Sequence, residues 1–357
     1  MVLYRLDPTS TSGGDAQCAA EAADLVYVSR EGPGITRRRF GKGFAYYKPS
    51  GSKIEDPKEI ERLNAMAIPP AYRDVWICPK KNGHLQAVGI DDRGRLQYRY
   101  HERWAQVRDR AKFDKLADFA RGLPSLRRTI RRDLKLSGLP RQKVLAACVK
   151  LLDKTYMRIG NADYATANDS YGLTTLQDGH AEFAKGTVRF EFKAKHGILR
   201  EIQLKDSLMA QVVKACQDLP GQELLQYLDE DGTVRDIGSG DVNGHIHGLL
   251  GDDFSAKTFR TWHATVLAAK ELQGVELASS KTAINKQVVA AIDAVAGHLG
   301  NTRAVCRKCY VDPRVTDAFE NGTLDDCFES GKKVRGLTLA ESATLCLLES
   351  NDARHCG

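Results

Sequence analysis

The stretch Ala71–Tyr100, AYRDVWICPKKNGHLQAVGIDDRGRLQYRY, decides the architecture of the first part of the chain. Its apolar and aromatic residues fall in two runs, Ala71 to Cys78 and His84 to Gly89. The Lys80-Lys-Asn-Gly83 turn joins them, and Asn-Gly is a strong hairpin signal. A third run, Arg95 to Tyr100, follows the Asp92-Arg-Gly94 turn. Three short strands joined by tight turns predict an antiparallel sheet. Upstream, Gly32-Pro33-Gly34 marks a turn, and Ile35 to Tyr47 mixes basic, aromatic and glycine residues as short strands and turns do. Asp56-Pro57 opens a helix with proline in its first turn. Residues 7 to 20 are rich in Ser, Thr and Gly and read as part of a flexible tail.

Downstream the period changes. From about residue 109 the chain reads as helical, and Leu145, Val149, Leu152 and Tyr156 recur at helical spacing. Strand signals return only at Gly186 to Leu204. There Val188, Phe190 and Phe192 alternate with other residues, Gly197 marks a turn, and Leu199 to Leu204 pairs back as a hairpin. After Asp206 the reading is helical again, interrupted by glycine-rich Asp236 to Gly251 and ending in an amphipathic helix over Leu337 to Leu348. The fold class is α+β. A tail (1–20) and a small β-rich amino-terminal domain (21–108) precede a larger, mainly helical domain (109–357) that carries a short β-hairpin sheet.

The chain has 357 residues, 42% hydrophobic and 28% charged, which suits two globular domains and excludes a disordered chain. The net charge is +7 and is unevenly spread. From Arg121 to Arg158, eleven basic residues face only Asp133 and Asp153, a stripe that suits a polyanion. Nine cysteines at irregular spacing predict reduced thiols in a cytosol. Cys306-Arg-Lys-Cys309 has no second pair to complete a zinc site, so no metal is expected. No apolar run reaches membrane-spanning length, which predicts a soluble, cytoplasmic protein.

The segment Leu299-Gly-Asn-Thr-Arg-Ala-Val-Cys-Arg-Lys-Cys-Tyr310 suggests the chemistry. It ends in a phenol that follows Arg303, Arg307 and Lys308, with Asn301 nearby. Cations favour the phenolate and hold an anionic target such as a phosphodiester. Transfer of a phosphodiester without a metal needs cations for the nonbridging oxygens, a proton for the leaving oxygen and a nucleophile. Two arginines, a lysine, a polar donor and Tyr310 supply that set, although they are far apart in sequence.

With Pro33-Gly-Ile-Thr-Arg-Arg-Arg, Ile68-Pro-Pro-Ala-Tyr-Arg-Asp-Val-Trp76, Arg95 to Trp104, Arg158-Ile-Gly-Asn, Ser170-Tyr-Gly-Leu-Thr-Thr-Leu176, Phe192-Lys-Ala-Lys195 and Lys257-Thr-Phe-Arg-Thr-Trp262, the chain resembles the type IB DNA topoisomerases of the compact bacterial and poxvirus kind. It is more distantly similar to the tyrosine recombinases.

The resemblance implies a clamp round double-stranded DNA, a monomer at the nucleoid, and relaxation of supercoils without ATP or an obligatory metal. It implies that Arg158 and Arg260 are the catalytic arginines, that Lys195 is the general acid towards the 5′ oxygen, and that Tyr310 is the nucleophile. Asn301 stands where relatives carry histidine; an amide donates a hydrogen bond but does not titrate. Ala194 stands where a glycine is common. Arg95, Tyr98, Tyr100, Tyr164 and Lys257 match DNA contacts of the family. A recombinase and a non-catalytic basic DNA-binding protein are the alternatives; Lys257, where recombinases usually carry histidine, speaks against the first.

Overall fold

A computed structural model describes residues 20–352 except 22, 42, 93, 105–112, 163–164 and 167–168. The expected tail up to residue 19, the expected domain boundary at 108/109 and Tyr164 lie outside the described residues. The chain divides into two units, Met1–Asp114 and Lys115–Gly357.

The first unit is built on an antiparallel sheet in the order β2-β1-β3-β4-β5. Its strands are β1 (Ile35–Phe40), β2 (Gly43–Tyr47), β3 (Arg73–Ile77), β4 (Leu85–Ile90) and β5 (Leu96–Tyr100). The Lys80–Gly83 turn closes β3 onto β4, with Ile77 opposite Ala87, and β5 follows with Tyr98 opposite Val88. Helix α1 (Pro57–Ala65) is capped by Asp56, whose carboxylate accepts from the Lys58 amide at 3.1 Å. Its Leu63 joins Ile35, Tyr46, Ile54, Val75, Ile77 and Ala87 in the core. Gly34 is obligatory because a Cβ there would meet the Trp76 ring nitrogen at 2.1 Å. The same indole donates to the Gly32 carbonyl at 3.0 Å, so the Gly-Pro-Gly turn is fastened to β3.

The second unit is mainly helical. It runs α2 (Leu116–Asp133), α3 (Arg141–Thr155), a three-stranded antiparallel sheet of β6 (Ala181–Ala184), β7 (Thr187–Lys193) and β8 (Leu199–Lys205), then α4 (Ser207–Gln217). A hairpin of β9 (Gln226–Leu228) and β10 (Val234–Asp236) precedes α5 (Ser239–Leu250), α6 (Ala256–Leu272) and α7 (Lys281–Leu299). Then come α8 (Arg303–Cys309), α9 (Pro313–Glu320), α10 (Leu324–Glu329) and α11 (Leu339–Asp352). Helix α6 is the axis of the core. It buries Phe259, Trp262, Ala264, Ala268, Ala269 and Leu272, and the last four also pack in one cluster with Val288, Ile292, Val295 and Leu299 of α7.

The glycine-rich stretch Asp236–Gly251, expected to break the helical pattern, is mostly helix α5. Val242 and Ile246 are fully buried, and tertiary packing overrides the low helix propensity of Gly240, Gly244 and Gly248. The basic stripe is also less available than its sequence implies, because acids distant in the chain join the nearby ones in pairing with it. Arg121 pairs with Asp118 and Glu349, Arg127 with Asp153 and Glu341, Arg141 with Asp241, and Lys150 with Asp206. Among the described residues no helix is long and apolar enough to cross a membrane.

Candidate active site

The end of α3 starts the site. Tyr156 takes the left-handed conformation (φ 58°), which stops the helix and turns the chain towards Arg158. Gly160 (φ +99°) then lies so close to Gly172 that a Cβ on Gly172 would meet the Gly160 Cα at 2.6 Å. The Leu173 amide donates to the Arg158 carbonyl at 2.8 Å, and the Thr174 amide to Ile159 at 2.7 Å. The Arg158-Ile-Gly and Tyr171-Gly-Leu-Thr-Thr motifs are therefore one interlocked structure that fixes the Arg158 backbone.

Helix α7 ends in a Schellman turn. Gly300 is left-handed (φ 60°), and the Asn301 amide donates to the Ala296 carbonyl at 3.0 Å. From there Thr302 caps α8, and Tyr310 is the residue that ends it. Thr265, buried on α6, accepts from the Asp312 amide at 3.1 Å, and its hydroxyl proton is shared between the Thr261 carbonyl at 2.9 Å and the Tyr310 carbonyl at 3.3 Å. The helix that carries Arg260 thus also anchors the backbone at Tyr310. No sequence pattern singled out Thr265; a threonine on a buried helix face reads as core filler.

Three guanidinium groups converge here. Arg158 donates to the Gly300 carbonyl at 3.2 Å and to the side-chain oxygen of Asn301. Arg260 donates to the carbonyls of Tyr156 and, at 3.0 Å, of Leu299, and its guanidinium lies 5.2 Å from the centre of the Tyr310 ring. Arg200 of β8 donates to Gly297 and His298 carbonyls at 3.2 and 2.7 Å. Arg158, Arg200 and Arg260 line one small cleft with Tyr156, Tyr171 and Ala194. None of the three pairs with a carboxylate among the described residues, whereas Arg127, Arg189 and Arg314 do.

That arrangement stores electrostatic stress. Burial, and then the neighbouring Arg260 charge, pushes Arg158 down to about 10, with Tyr310 opposing and Arg200 adding to the effect. Burial and the Arg260 charge likewise push Arg200 down. At neutral pH these groups stay charged, so an anion entering the cleft relieves mutual repulsion as well as gaining hydrogen bonds. The cation placed against the phenol is Arg260, a residue distant in sequence. Of the nearby candidates, Arg303 is tied to Asp293 at 2.5 Å.

Behind the cleft lies a buried ionic network. His263 Nε2 is 3.0 Å from Asp153 Oδ1, and Arg127 bridges Asp153 and Glu341 at 2.8 and 2.6 Å. Burial opposes the Asp153 charge, yet bonds from His263 and Arg127 hold it well below the usual carboxylate range. The His263 ring packs on Tyr156 at 4.7 Å, so this network supports the turn whose carbonyl receives Arg260.

The remaining expected residues are placed less centrally. Lys195 starts the turn between β7 and β8 and is exposed, with no side-chain partner among the described residues. Its neighbour Ala194 is buried in ordinary extended backbone (φ −89°), so the absence of a glycine costs nothing there. Asn301 uses its side-chain oxygen on Arg158; its buried amide nitrogen has no hydrogen bond among the described residues. Lys257 is exposed in the first turn of α6, one turn before Arg260. In the first unit Arg95 is bound to Asp91 at 2.7 Å, and Tyr98 stacks on Tyr100 at 6.2 Å along the half-buried strand β5. Among the described residues no group of three or more His, Cys, Asp or Glu side chains converges to hold a metal.

Residues 101–321 match the family model for the eukaryotic DNA topoisomerase I catalytic core, and residues 43–91 that for the bacterial DNA topoisomerase IB N-terminal domain. DNA topoisomerase 1B of Acanthamoeba polyphaga mimivirus is 30% identical over 295 residues, covering 81% of this chain and 88% of the relative. DNA topoisomerase 1B of vaccinia virus (strain Copenhagen) and DNA topoisomerase I of monkeypox virus are each 28% identical over 180 residues, 48% of this chain and 56% of theirs.

Proposed function

The chain belongs to the type IB DNA topoisomerase family, and on that premise we propose how its site acts. It is a DNA topoisomerase, an isomerase whose substrate is DNA. In the proposed cycle the Tyr310 oxygen attacks a backbone phosphorus. Its O–P bond forms as the bond to the 5′ oxygen breaks, leaving a 3′-phosphotyrosyl link and a free 5′ hydroxyl. The cut strand swivels, and attack by that hydroxyl reverses the step. The covalent link keeps the bond energy, so no ATP is needed.

Arg158 and Arg260 stabilise the charge that builds on the nonbridging oxygens, and Lys195 gives the departing 5′ oxygen its proton. Asn301 acts by orienting Arg158, the contact its side chain already makes. Arg95, Tyr98, Tyr100, Tyr164 and Lys257 contact the duplex, and both units grip it as a monomeric clamp. A bacterial cytoplasm, at the nucleoid, is the proposed setting; the match to a bacterial N-terminal domain and the free thiols of Cys78, Cys148, Cys216, Cys306, Cys309 and Cys346 support it.

One observation carries the mechanism: Arg158 and Arg260 meet beside Tyr310 with no carboxylate among the described residues to neutralise them. The test is relaxation of a supercoiled plasmid in EDTA without ATP. The chain is expected to relax it, and Tyr310→Phe to lose relaxation and the covalent adduct on denaturing gels while keeping noncovalent binding. An adduct that persists in the variant, or maps to another tyrosine, overturns the assignment.

A further inference from the structure

We infer that Arg200 is a positioning residue that ties the hairpin bearing Lys195 to the end of the helix from which Asn301 and Tyr310 follow. The inference rests on the roles proposed above for Lys195 and Tyr310. Arg200 lies on β8 opposite Phe192 of β7, five residues after Lys195. The tip of that hairpin projects outward: Lys195 is exposed, as are Ile198 and Leu199. An exposed lysine is placed only as well as the strands beneath it.

The β7 side of the hairpin is held where the Tyr171 amide donates to the Lys193 carbonyl at 2.7 Å and Lys193 pairs with Asp169 at 2.7 Å. On the β8 side, Arg200 reaches across to the Gly297 and His298 carbonyls. These belong to the last turn of α7, where carbonyls lack partners within the helix and a cation is favoured. Gly300 fits the same junction. Its φ of +60° favours glycine, and a Cβ there would meet Arg200 Nη1 at 2.9 Å.

The guanidinium is half-buried and shares the cleft with two others, of which Arg260 raises the cost of its charge. Its hydrogen bonds go to the main chain of the helix that leads into Asn301. Arg200 therefore fixes the distance between the proton donor and the nucleophile segment. A misplacement of about 1 Å in such a geometry costs on the order of a hundredfold in rate.

The test compares Arg200→Ala, Arg200→Lys, Lys195→Ala and the double alanine variant. Single-turnover cleavage is measured on ordinary DNA and on DNA with a 5′-bridging sulfur, alongside noncovalent DNA affinity and thermal melting. Arg200→Ala is expected to slow cleavage of ordinary DNA by about tenfold to a hundredfold. Its affinity should change little, and Arg200→Lys should recover part of the rate. The double variant should be no slower than Lys195→Ala alone, and sulfur should rescue Arg200→Ala as it rescues Lys195→Ala.

Single losses that multiply in the double variant, or wild-type cleavage by Arg200→Ala, overturn the inference. If sulfur rescues neither variant, the general-acid role of Lys195 falls. The single-against-double comparison still decides whether Arg200 acts through that lysine. Should Arg200→Ala fail to fold, Arg200→Lys and Arg200→Gln are put through the same comparison with Lys195→Ala.

Discussion

At the scale of single residues, the site is a set of cations held by backbone carbonyls. A guanidinium bonded to carbonyls keeps its full charge for an incoming anion, whereas one bonded to a carboxylate does not. This ranks the variants. Arg158→Ala and Arg260→Ala should each slow single-turnover cleavage by on the order of a hundredfold or more. Asn301→Ala should cost less, because it removes a neutral acceptor that holds Arg158 and leaves the charge in place. An Asn301→Ala loss equal to that of Arg158→Ala would mean that the amide touches the phosphate itself. The nucleophile segment was legible because a tyrosine after a basic run matched a known pattern. The partner of the phenol was not, since Arg260 reaches it only through the packing of α6 against α7 and α8.

At the scale of elements, one helix and one junction of three helices carry stability that can be measured apart from activity. Gly244 of α5 is exposed, with open space where a Cβ would stand and no positive φ. Gly244→Ala should therefore stabilise the protein by about 0.5–1 kcal/mol, read as a higher melting temperature, with cleavage unchanged.

The Arg127 junction of α2, α3 and α11 should behave in the opposite way. Burial opposes charge on Asp153 and Glu341, but bonds from Arg127, and for Asp153 also from His263, hold both below their ordinary values. A depressed carboxylate contributes stability that is full above its unfolded value, about 4, and is lost as pH falls through the folded value. Arg127→Met strands those charges and should cost about 3 kcal/mol at pH 7. The gap from wild type should narrow as pH falls towards 4, where unpaired carboxylates take up protons. Urea unfolding across that range checks it, and a constant gap would mean that packing, not charge, is what Arg127 supplies. Of the acids at this junction, Asp153 was visible in the basic stripe and Glu341 was not, because it is more than two hundred residues away from Arg127.

At the scale of the whole molecule, the division into Met1–Asp114 and Lys115–Gly357 suggests a dissection. All five proposed catalytic residues lie in the second unit, which has its own apolar core around α6. A fragment of residues 115–357 is expected to fold and to keep some plasmid relaxation at low salt. Its DNA affinity should fall, and the salt dependence of binding should flatten as phosphate contacts of the first unit are lost. A fragment that binds as tightly as the full chain with the same salt slope would remove the first unit from DNA binding.

Sequence by itself determined the local structure and the chemical parts. Alternation and turn residues gave the strands of the first unit and the β7–β8 hairpin, because period two and Asn-Gly signals are local properties of the chain. The short motifs named the arginines, the lysine and the tyrosine. Only the tertiary structure decided which charges are spent and which are free. It neutralised Arg121, Arg127, Arg141 and Lys150 of the basic stripe with distant acids and left Arg158, Arg200 and Arg260 facing one another. It also made a helix of a glycine-rich segment by burying Val242 and Ile246. The physical reason is the same in each case. Ion pairing and burial depend on which residues meet in space, and a linear pattern carries that information only where the partners are neighbours in sequence.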